Sequence, residues 1–113
     1  MMRPPPQFRS HIELTFEEHG KDRRRKFGFD EGHRRLPMSM DGVDGLHTVG
    51  LWIEKKDAVF EEGEEFDADC CVIWPEGFTK IVAPGVKFRL WDSGFFARGV
   101  VTERCDAGWE NPK

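Results

Sequence analysis

The sequence contains no tyrosine, three cysteines and three serines. An odd cysteine count argues against a disulfide framework and for a reducing, cytoplasmic setting. No C-x-x-C or H-x-x-x-H spacing occurs, and strand neighbours such as Cys70 and Cys71 point to opposite faces. No metal site and no cofactor is therefore expected. Ser10, Ser39 and Ser93 have no partner placed to activate them, and neither His11 nor His47 has a nucleophile beside it, so no catalytic constellation is expected. No window approaches the roughly 18 apolar residues of a transmembrane helix. No basic-then-apolar start leads to a small-residue cleavage site, so no secretory signal is expected. The phosphate-loop pattern G-x-x-x-x-G-K-[ST] is missing, and GTP hydrolysis is not expected of this chain.

What the chain does have is aromatic bulk and turn residues. Its 113 residues include 10 Phe and 4 Trp, with 12 Gly and 7 Pro between apolar segments, enough for one small core. Residues 1–7 (MMRPPPQ) read as an extended, poorly ordered lead-in, residues 8–104 as one β domain, and residues 105–113 as a flexible tail.

Period-two alternation marks the strands. Ile12, Leu14 and Phe16 share a face in residues 8–18. Val49, Leu51 and Ile53 share one in residues 46–54, with Gly50 a bulge candidate. Phe66, Ala68, Cys70, Val72 and Trp74 line up in residues 66–74. Residues 78–83 read as a short strand, and Val86, Phe88 and Leu90 alternate in residues 86–91. Asp92-Ser93-Gly94 connects that segment to a last strand over residues 95–104. Residues 19–35 read as a long loop or solvated hairpin, residues 36–45 as turns, and residues 55–65 as an acidic loop. No apolar stripe recurs at helical spacing. About six strands separated by turns predict an all-β barrel or sandwich.

Charge is unevenly distributed. Residues 1–40 hold 9 Lys/Arg against 6 Asp/Glu, and residues 41–113 hold 8 against 15. Residues 21–35 (KDRRRKFGFDEGHRR) are the basic run, and residues 54–69 (EKKDAVFEEGEEFDAD) the acidic one. Such a dipolar chain can present a positive element to a polyanion, although both runs also fit ordinary solvated loops.

Residues 83–103 (APGVKFRLWDSGFFARGVVTE) resemble the end of the third, C-terminal domain of elongation factor Tu and its relatives. The matching pieces are Phe88-Arg89-Leu90-Trp91, the turn Asp92-Ser93-Gly94, and Ala97-Arg98-Gly99-Val100-Val101. The opening strand with Gly20 is also similar to that domain's first strand. The chain departs from the family in its basic loop, which lacks any tyrosine, and residues 38–65 match only loosely. The resemblance implies a closed six-stranded antiparallel barrel without its GTP-binding domain, in a fold family that helps hold aminoacyl-tRNA.

A non-catalytic, translation-factor-like binding module follows as the leading expectation. Lys21, Arg23, Arg24, Arg25, Lys26, Arg34 and Arg35 would contact RNA phosphates, with Phe27 and Phe29 interleaved as stacking aromatics. Outward Trp91, with Phe95, would contact a protein partner. The alternative is a protein-interaction module, an adaptor or an inhibitor/immunity-type partner, using the acidic face without RNA binding. No membrane or nucleotide partner is expected.

Overall fold

The computed structural model describes residues 4–16 and 26–109. Eight strands follow in chain order: β1 (Phe8–Leu14), β2 (Lys26–Gly28), β3 (His33–Met40), β4 (His47–Trp52), β5 (Val59–Glu61), β6 (Glu65–Val72), β7 (Lys87–Trp91) and β8 (Phe95–Arg104). Six of them close a barrel in the order β1-β6-β4-β3-β7-β8, and every adjacent pair is antiparallel. β2 and β5 form a separate two-stranded ribbon.

Alternation puts one face of each strand inside. Phe8, Ile12 and Leu14 enter from β1, Leu36, Met38 and Met40 from β3, Val49 and Leu51 from β4, Ala68, Cys70 and Val72 from β6, Phe88 and Leu90 from β7, and Val101 from β8. Closure requires a missing side chain. Gly99 of β8 pairs with Phe88 of β7, and a Cβ on Gly99 would lie 2.2 Å from the Phe88 ring. Phe88 therefore fills the space that any other residue at position 99 would take.

The expected closed six-stranded barrel is present, but one of its strands is not among those read from the sequence. β3 runs through residues assigned to loop and turns. Its apolar period is intact in Leu36, Met38 and Met40. Pro37 faces outward just before the β3–β7 register begins at Met38, so its absent N–H leaves that ladder uninterrupted. Conversely, residues 78–83 form no strand. A 3₁₀ turn at Pro75–Gly77 leads into further turns, and Phe78 and Val82 reach the core at a four-residue, helix-like spacing.

Two smaller expectations also fail. Trp74 is 48% exposed, because β6 ends at Val72 and the alternation stops with it. Gly50 is no bulge; the register shifts fall at Arg9/Ser10 and at Leu90/Trp91. The segment after Arg104 is ordered through a 3₁₀ turn at Asp106–Trp109, and Arg104 holds it. The Arg104 guanidinium donates to the carbonyls of Thr79 and Val82 at 2.7 and 2.8 Å and lies over the Trp109 ring. Gln7, assigned to the lead-in, is buried, and its side-chain oxygen accepts from Val72 N–H at 2.7 Å.

Candidate functional site

In a six-membered ring, strands three places apart lie on opposite sides. β6 and β7 stand in that relation. The outward positions of β6 are Glu65, Asp67, Asp69 and Cys71; those of β7 are Lys87, Arg89 and Trp91. One side of the barrel is thus acidic, and the opposite side is basic with an aromatic end.

On the basic side, the Arg89 guanidinium sits 3.8 Å over the Phe95 ring across the hairpin. Arg98 of β8 is the cross-strand neighbour of Arg89. Trp91 is 36% exposed, and Phe95 is half-buried. The cation fixed over one ring and the open indole beside it combine charge with a stacking surface. Lys87 and Arg89 were legible in the sequence: with Trp91 they occupy alternate positions of a strand whose other positions are apolar.

On the acidic side, β1 partly neutralises β6. His11 places Nδ1 2.7 Å from Asp67 Oδ1 and Nε2 2.5 Å from Glu65 Oε1. Two carboxylates are best met by two N–H donors, which the imidazolium supplies. The Glu65 and then the Asp67 contact raise the His11 pKa above its ordinary value. Arg9 pairs with Asp69 at 3.1 Å and with Glu103 at 3.7 Å.

Only part of the basic segment falls within the described residues. Lys21, Arg23, Arg24 and Arg25 lie outside the described residues. Lys26 is exposed and stands opposite Glu61 in the register of the β2–β5 ribbon, which joins the basic run to the acidic one. Phe27 and Phe29 are each 3% exposed and belong to the core, packed with Phe66, so they offer no stacking surface. Arg34 donates to the Gly28 carbonyl at 2.8 Å, covers the Phe27 ring, and stands 3.7 Å from Asp92. Arg35 is exposed and faces elsewhere, into a groove.

That groove has a volume of about 500 Å³ and lies between the N-terminal Pro4 and Pro5, the outer face of the barrel at Arg35, Trp52 and Ile73, and the turn carrying Gly108. Across its floor the register aligns Arg35, Gly50 and Cys71 on three adjacent strands. The Trp52 ring lies over bare Gly50, only 2.8 Å from where a Cβ would stand, and His33 stacks on it with ring centroids 4.4 Å apart. Burial, and then the charge of Arg35, lower the His33 pKa and keep the ring neutral. These groups come from five distant parts of the chain, and no local pattern announces them.

Among the described residues, no cluster of three His, Cys, Asp or Glu could hold a metal ion. Cys70 is buried, with its thiol 3.2 Å from the Ser10 hydroxyl, and Cys71 is half-buried on the outer face, as alternation requires. Burial pushes the Cys70 thiol far above its usual pKa. No described helix is long and apolar enough to cross a membrane.

These features define a small β-barrel with a charge-polarised outer wall and an apolar groove. No known family model matches the chain, and no curated protein does.

Proposed function

We propose that the protein is a cytoplasmic, non-catalytic binding module of translation-factor type that contacts RNA through the β7–β8 side of the barrel. Kinship with the third domain of elongation factor Tu rests on the closing hairpin and, more loosely, on the opening strand. The observation that carries the RNA reading is the placement of Lys87, Arg89 and Trp91 on the strand diametrically opposite Glu65, Asp67 and Asp69. A polyanion approaching this field is steered to one side and repelled from the other. Lysine and arginine neutralise phosphates, while Trp91 gives an unpaired base a π-face.

The test is fluorescence anisotropy with a labelled single-stranded RNA over a salt series. Each phosphate contact contributes about 0.7 to the slope of log affinity against log salt. Lys87→Ala and Arg89→Ala should each lower that slope by about one such step, and Trp91→Ala should weaken binding without changing it. Slopes indifferent to both cations would refute the reading.

A further inference from the structure

We propose that the groove over Gly50 is a second, separate binding site, which takes an extended apolar peptide segment of a partner protein and pins a carboxylate of that segment on Arg35. Three observations converge on it.

The first is shape. About 500 Å³ of open cleft falls within the range of ligand sites, and its walls of Pro4, Pro5, Trp52 and Ile73 are apolar. Prolines hold the near wall in an extended form with little conformational freedom to lose on binding. Cys71 ties that wall to the barrel through a contact to the Pro5 carbonyl at 3.4 Å.

The second is the surface that continues from the groove. Ile73, at its rim, is 65% exposed; Trp74 is 48% and Leu46 46% exposed. These are three of the five large hydrophobic residues exposed on the described surface. Ile73 N–H bonds to Thr48 O and the His47 ring packs on Trp74, which brings the start of β4 beside the end of β6. Apolar side chains so grouped at a concave rim are characteristic of a protein-contact surface.

The third is charge. Among the described residues Arg35 is the only charged side chain lining the groove, and no ion pair holds it. A guanidinium beside an apolar cleft favours a partner with one carboxylate set among hydrophobic residues, because the fork accepts a carboxylate bidentately. A bare polyanion would leave the apolar wall unused.

The experiment is selection of a phage-displayed random octapeptide library on the full chain, with binding of the enriched peptides measured by anisotropy. Enriched sequences should combine apolar residues with Asp or Glu. Their affinity should fall at least about tenfold, or about 1.4 kcal/mol, in Arg35→Glu and in Ile73→Asp, and should be unchanged in Lys87→Ala, which separates this site from the RNA-contacting side. Both groove variants alter exposed positions, and their folding is to be checked by circular dichroism. The proposal fails if no peptides are enriched or if their binding ignores both groove variants. It also fails if a parallel random-RNA selection yields ligands that depend on Arg35, or if sedimentation shows a dimer that Ile73→Asp dissociates.

Discussion

The indole Nε1 of Trp109 donates a 2.9 Å hydrogen bond to the backbone carbonyl of Gln7. Residues 102 positions apart in the chain are thereby joined, and the same carbonyl also accepts from Cys105 N–H at 2.9 Å. Gln7 N–H in turn donates to the Cys70 carbonyl. Gln7 thus joins β6 to the segment that follows β8. Replacing Trp109 with Phe removes the indole donor while keeping a ring for Arg104 to cover, and should cost about 1 kcal/mol. Gln7→Ala strands the buried Val72 N–H and should cost about 1–3 kcal/mol. Urea unfolding at constant m-value measures both.

Gly99→Ala tests barrel closure. Its methyl group would overlap the Phe88 ring, and overpacking of this kind costs roughly 1–3 kcal/mol. Adding Phe88→Leu should recover part of the loss, giving a double variant more stable than the sum of the single losses predicts. Simple additivity would show that the two positions do not share the space.

His11 makes stability depend on pH in a definite direction. Its folded pKa is raised above about 6.5, its unfolded value. The stabilisation is therefore fully present below about pH 6.5 and disappears as pH rises through the folded value. His11 is 42% exposed and solvent screens the pairs, so the effect is small. The stability difference between the natural chain and His11→Gln should be largest near pH 6 and close toward pH 9, in denaturant titrations at both values. A constant difference would mean that the imidazolium pairs add nothing.

Arg104 should control the order of the connection between β6 and β7. Its guanidinium supplies donors to the Thr79 carbonyl and hydroxyl and to the Val82 carbonyl. Arg104→Lys keeps the charge and loses the fork. Amide hydrogen exchange around Phe78 and Val82 should accelerate in that variant, while exchange in β1 stays slow. Uniform acceleration would indicate global destabilisation instead.

The sites differed in how far local pattern could reveal them. Trp91 was placed outward by alternation alone, and Lys87 and Arg89 obey the same rule. Phe27 and Phe29 look like stacking aromatics between cations when read locally. They are core residues because β2 pairs with β5 and carries them against Phe66. Arg34 reads as a phosphate contact in the sequence; in the structure its Nη1 donates to the Gly28 carbonyl and its guanidinium lies over the Phe27 ring. No short window contains those partners.

By itself the amino-acid order determined the β class, the inward and outward faces of β1, β6 and β7, and the closing hairpin. Each of these depends on neighbours within a few residues, through the two-residue period of an extended chain and the steric needs of tight turns. Only the tertiary structure decided that residues 33–40 are a barrel strand, that acidic β6 faces away from basic β7, and that Arg35, Trp52, Ile73 and Pro5 meet over Gly50. Those outcomes follow from strand order and register around a closed ring, which long-range pairing sets and local periodicity does not encode.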